Sequence, residues 1–242
     1  MTSKYTHVST NNLVFGTNSN GRVKIPELMR GDYRFEMFTT TNLIYNVSSL
    51  NNNFSIVYFD GGSNMYDIVL TPGNYSYLDL ANEIETQLNA TVVGGSFTVD
   101  YDTISGKYTI TEAANTFYFV FVVVNSAYKL MGFNYENQST LEASKTSDNP
   151  SQIYPNQVIY LRLGEDDDLN IRGSSSFSSS LFIPVNSDFG EKFDYKINTE
   201  SLCQIIRLNS TSGLTFRFHD SNRKDIDLNG ADWEMLLKNV SN

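Results

Sequence analysis

The chain has 242 residues, of which 40% are hydrophobic, 13% aromatic and only 18% charged, with a formal net charge of −10 and a single cysteine. That length buries a real core, in one large domain or two small ones. The acidic balance argues against a chain that wraps nucleic acid, because phosphate affinity comes largely from clustered Lys and Arg, and one cysteine allows neither an internal disulfide nor a Cys-based zinc site.

Residues 1–26 are polar, have little periodicity and lack the apolar segment of a secretory signal. An extended N-terminal arm is expected over 1–30, carrying Lys4, Arg22, Lys24 and Arg30. It reads either as a solubilising tail or as an arm lying along a neighbouring subunit or an acidic partner. Residues 33–39 (YRFEMFT) alternate as a half-buried strand, followed by strands at 43–47 and 54–59. Asp60-Gly61-Gly62-Ser63 marks a hairpin turn, and 65–70 is the returning strand.

Pro72-Gly73 ends that strand, and Ser76 with Asp79 three positions later forms a capping-box-like start to a helix over about 76–89. Tyr77, Leu80, Ala81, Ile84 and Leu88 define its apolar stripe, which must dock on a sheet. Asp79, Glu83 and Glu85 read as a solvated acidic face. FTVDY (97–101) and KYTIT (107–111) make an alternating hairpin. The run 117–124 (FYFVFVVV) is apolar at every position, so it is expected to be covered on both sides, as a core strand or in a subunit interface. Phe117, Phe119, Phe121, Tyr128 and Trp233 are the candidate core or interface residues. At eight residues the run is far short of the ~20 that cross a membrane. YKLMGF (128–133) reads as one helical turn closing on Gly132.

Residues 134–155 read as a long loop. Strands follow at 157–163, 180–185, 193–197, 202–208, 214–219 and 225–228, with a hairpin turn at 220–224 and a final apolar segment from Trp233. Cys203 lies in an apolar run and reads as a small buried hydrophobe of a chain that folds in a reducing compartment. About a dozen short strands against one good helix make an all-β sandwich or jelly roll.

No catalytic or cofactor constellation accompanies these strands. His7 and His219 have no Cys or Asp at ligand spacing, and no nucleophile elbow or phosphate-binding glycine loop is present. Asp166-Asp167-Asp168 lacks the spaced positions and central glycine of an EF-hand loop and reads as solvated. The chain is therefore expected to be neither an enzyme nor a cofactor binder.

The run IVLTPGNYSYLDLANEIETQLNA, then FTVDYDTISGKYTIT, then YKLMGFN, resembles the minor capsid or penton proteins of virophages, Polinton-like viruses and related large DNA viruses. The C-terminal IYPNQVIYLRL and RLNSTSGLTFRFHDSNRKDIDLNGADWEMLLKNV are also similar to that family, with Gly213 and Gly230 at turn positions and Ser221-Asn222-Arg223 replacing a glycine turn. The resemblance covers roughly residues 65–240. It implies a single jelly roll of two packed antiparallel sheets over 31–242, with the 76–89 helix as an insertion. It further implies a homopentamer at the fivefold vertices of an icosahedral virion, assembled in the host cytoplasm and contacting a double-jelly-roll major capsid protein. The residues themselves leave two other classes open. One is a carbohydrate- or receptor-binding β-sandwich of fibre or lectin type, which would use the many Tyr and Asn. The other is a jelly-roll hydrolase with paired carboxylates.

Overall fold

The computed structural model describes residues 5–25, 29–153, 158–164, 180–196, 205–210, 213–221 and 223–240. Alternating Val, Ile, Phe, Tyr and Thr fit a pleated, half-buried surface. The described residues form sixteen strands, all paired antiparallel, with one long helix. The fold is all-β and of jelly-roll type. Its residues divide into two compact units, Met1–Ile44 with Asn156–Asn242, and Tyr45–Pro155.

The first unit is a sandwich of two five-stranded sheets. One sheet holds β1 (Tyr5–Ser9), β4 (Met29–Thr41), β13 (Lys192–Lys196), β14 (Ile205–Ser210) and β16 (Trp233–Asn239). The 13-residue β4 carries it: β16 runs along one edge, while β13 and β14 pair in succession along the other. The other sheet runs β12 (Ser180–Pro184), β11 (Val158–Gly164), β15 (Gly213–His219), β3 (Asn20–Lys24), β2 (Leu13–Gly16). Between the sheets Trp233 packs edge-on against Phe216 (4.8 Å) and Phe218 (5.7 Å) and stacks on Phe38 (6.1 Å).

The stretch expected as an arm is extended, but it pairs. Thr6 faces Leu237 in β1–β16, and Val23 faces Leu214 in β3–β15. Between these strands Thr10 Oγ1 accepts from the Trp233 amide (3.1 Å), and Asn18 O accepts from the Trp233 indole (2.8 Å). These groups, though polar in sequence, satisfy buried C-terminal donors that would otherwise be orphaned.

The second unit contains β5 (Asn53–Phe59), β6 (Ser63–Val69), β7 (Phe97–Asp102), β8 (Lys107–Glu112), β9 (Thr116–Val120) and β10 (Ser144–Thr146), with α1 (Tyr77–Thr91) and the short α2 (Tyr128–Met131). They make two three-stranded sheets, β6-β5-β9 and β10-β8-β7. One core unites them: Leu80, Ala81, Ile84 and Leu88 of α1 bury with Phe54, Ile56, Tyr108, Ile110 and Phe119. What is inserted between β4 and β11 is thus a whole packed unit rather than a helix alone.

Four element readings change. Residues 43–47 form no strand, only a bridge from Val47 to Gly73, and 225–228 form only a bridge from His219 to Asp225. The loop 134–155 contains β10 and bridges to β9 at Asn137 and Glu142. The run 117–124 is strand only to Val120 and buries one face. Phe117, Phe119 and Phe121 are fully buried, while Val122 is 51% and Val124 81% exposed. Alternate side chains point to opposite faces, and within one chain the inner face meets the core while the outer face is the one left to a subunit interface.

Candidate functional site

Of the features singled out by sequence, the capped helix, the aromatic run and the Gly132 turn lie in the second unit. α1 starts as its sequence implies. Ser76 Oγ accepts from the Asp79 amide (3.1 Å) and donates to the Asp79 carboxylate (2.6 Å). The acidic face is a correction. Glu83 accepts from the Thr71 amide (2.7 Å) and from Gln87 Nε2 (3.0 Å). Glu85 accepts from the Val99 amide (2.9 Å), and Asn89 brackets Phe97, accepting from its N–H (2.8 Å) and donating to its C=O (2.9 Å). The polar side of the helix therefore occupies the outer hydrogen-bonding edge of β7. Spacing along a helix cannot reveal this, because the partners are backbone groups of another element.

Glu112, at the end of β8, is 2% exposed. Burial pushes its carboxyl pKa up. The amides of Asn115, Ala114 and Ser96 and the Tyr58 hydroxyl all donate to the charged form, and together they leave it below the usual glutamate range. The ionised carboxylate ties the β8–β9 turn to the start of β7. A folded-state pKa below the unfolded value means stability that is fully present above the unfolded glutamate pKa, about 4.3. That stability is lost as pH falls through the lower folded value. Glu112→Gln keeps the shape but aims an amide N–H₂ at donors, so it is expected to cost about 1–3 kcal/mol at pH 7. Urea midpoints at pH 7 and pH 3 check this: the loss on acidification should be smaller in the variant than in the parent.

The YKLMGF turn closes as expected. Gly132 follows α2 with φ +74° and ψ 17°, its N–H on Lys129 O (3.2 Å) and Tyr128 O. The Asn149 carbonyl lies against the space a Cβ would fill. Asn149 N donates back to Gly132 O (2.8 Å), and Ser151 Oγ donates to Leu130 O (2.5 Å). The short motif is thus a cradle for the returning 147–151 segment.

Of the sequence-selected residues, Phe117, Phe119 and Phe121 share the second unit's core, and Tyr128, partly buried, packs against it. Trp233 is buried in the first unit. Arg22 is half-buried, lying against Gly213, and Lys24 is exposed on β3. Arg30 is in β4, whereas Lys4, Cys203 and the acidic 165–168 run lie outside the described residues. His219 stacks on Tyr160 (5.4 Å, 9°), and His7 sits 3.4 Å from Glu234. Among the described residues no three His, Cys, Asp or Glu side chains are grouped to hold a metal, and no helix is long and apolar enough to cross a membrane.

No family model and no curated protein matches the chain. Among solved structures it is similar to a crystal structure of selenomethionine-labelled mavirus penton protein. The TM-score is 0.50 at 12% identity, covering 97% of this chain and 98% of that one. At that identity the likeness is one of fold.

Proposed function

We propose that the chain is a structural virion protein, a penton-type subunit that forms homopentamers at the fivefold vertices of an icosahedral capsid and contacts the surrounding major capsid protein. The observation that carries this reading is a fold shared with a penton protein along nearly the whole length of both chains. The short motifs around α1 and Gly132 support it, because each has a structural task here and together they carry the sequence resemblance.

A closed fivefold ring needs a heterologous contact, one face of a subunit against a different face of the next. The basic residues Arg22 and Lys24, on a strand of the first unit, are proposed contacts to a neighbouring subunit. The role requires no catalysis. Native mass spectrometry of the purified chain should give a pentamer, near five times the 27.3 kDa chain mass. A trimer would instead favour a fibre-type role. A monomer that stays single when mixed with its capsid protein would end the vertex reading.

A further inference from the structure

The second unit presents four sheet edges, and three of them are blunted. The β9 edge is covered by the segment at 136–142, through Phe117 N to Glu142 O (2.9 Å), Gln138 N to Phe119 O (2.9 Å) and Phe121 N to Glu136 O (3.3 Å). The β7 edge is occupied by Glu85 and Asn89 of α1. The β10 edge is three residues long and centred on Lys145. Short strands, inward lysines and covering elements are the usual means of keeping edges from pairing with other chains.

The fourth edge, β6, has none of these along its outward backbone among the described residues, although α1 packs nearby. It is seven residues long and holds register with β5 over seven pairs without a bulge. It contains no Pro and no Lys, and among the described strands it pairs with β5 alone. Leu70 N bonds Asn52 O (2.9 Å), and Asn53 turns its backbone the other way, accepting from Ala127 N (2.7 Å). Antiparallel pairs alternate between bonded and non-bonded. Met65, Asp67 and Val69, opposite Val57, Ser55 and Asn53, are therefore the residues whose N–H and C=O face the open edge. Their side chains share the outward face of the sheet, where Met65 is 58% and Val69 54% exposed. Asp67 sits between them, exposed, holding the Ser55 hydroxyl (2.6 Å).

The charge around this edge has one sign. Residues 35–106 contain no Lys or Arg, and the whole unit has eleven acidic side chains against three lysines, net −8. Those lysines are engaged. Lys145 is nearly buried on Glu142 (3.0 Å), Lys107 donates to Asp148 O (2.8 Å), and Lys129 lies over the Tyr128 ring (5.8 Å).

We propose that β6 is a docking edge for an extended segment of a different protein chain. That segment adds as a strand, with a Lys or Arg opposite Asp67 and apolar side chains opposite Met65 and Val69. Main-chain bonds supply the affinity and alternate side chains the selectivity, as in other strand additions. The acidic surroundings favour a basic segment over a second copy of this edge, which would bring two acidic surfaces together. The inference goes beyond the capsid reading and stands without it.

The test uses the full chain and two seven-residue peptides, acetyl-Thr-Val-Thr-Lys-Thr-Val-Thr-amide and the same peptide with Glu in place of Lys. Amide hydrogen exchange is followed residue by residue. At millimolar Lys peptide, the Met65, Asp67 and Val69 amides should slow at least tenfold, with no change from the Glu peptide. Asp67→Lys should reverse that preference. Asp67→Pro should abolish protection by either peptide while leaving the β5–β6 amides protected, because it removes only the central outward donor. The proposal fails if the Lys peptide leaves these amides unprotected, if both peptides protect them equally, or if they are already protected in the free protein by self-association.

Discussion

Replacing Gly132 with alanine is expected to cost about 3–4 kcal/mol, among the largest single-site losses in the chain. The left-handed φ of +74° alone costs an L-residue about 1–2 kcal/mol. The added methyl must also displace the Asn149 carbonyl, which is backbone and cannot rotate away. Moving residues 147–151 loosens the bonds of Ser147 N to Tyr108 O (2.8 Å) and Ser151 N to Gly106 O (2.8 Å), so the β7–β8 hairpin is affected as well. Denaturant unfolding should show a lowered midpoint. A loss below 1 kcal/mol would mean the cradle can open without cost.

The second expected result separates the two faces of the 117–124 run. Phe119 is fully buried, with ring centroids 5.2 Å from Phe117, 5.3 Å from Phe133, 5.6 Å from Phe121 and 5.7 Å from Phe54. Its truncation removes both transfer energy and the contacts of four aromatic neighbours. Phe119→Ala should therefore destabilise by about 3–5 kcal/mol. Val122→Ser, on the exposed side, should stay within about 0.5 kcal/mol. If the exposed half is also subunit surface, Val122→Ser shifts the mass distribution in solution while leaving the unfolding midpoint in place. Equal losses in monomer stability from both substitutions would contradict the one-faced burial.

What was legible in the sequence depended on how near the partners lie. The Ser76–Asp79 cap, the 97–101/107–111 hairpin and the Gly132 turn are written in residues a few positions apart, and each formed where its pattern placed it. β1 and β3 were not legible as sandwich strands, because their partners β16 and β15 lie about 190 or more positions away and the surrounding sequence is rich in Asn, Ser and Thr; β2 pairs only with the nearby β3 and joins the sandwich through it. The acids of α1 have helical spacing that says nothing about the β7 backbone they accept from. The boundary of the inserted unit left one trace, the absence of Arg between Arg34 and Arg162, which composition over the whole chain averages away. For the candidate site, the buried aromatics were found, but whether they were core or interface turned on the partner face.

The closure of β7 by α1 also bears on the order in which the chain becomes safe from its neighbours. The bonds that close this edge join residues only 8 and 14 positions apart. Loop-closure cost grows with separation, and local contacts form before distant ones. Thr10 and Trp233, by comparison, are 223 positions apart. Helix and hairpin can therefore seal one sticky strand while the sandwich is still waiting for its C-terminus. The nascent chain is thereby guarded, during synthesis, against joining its siblings at the wrong place.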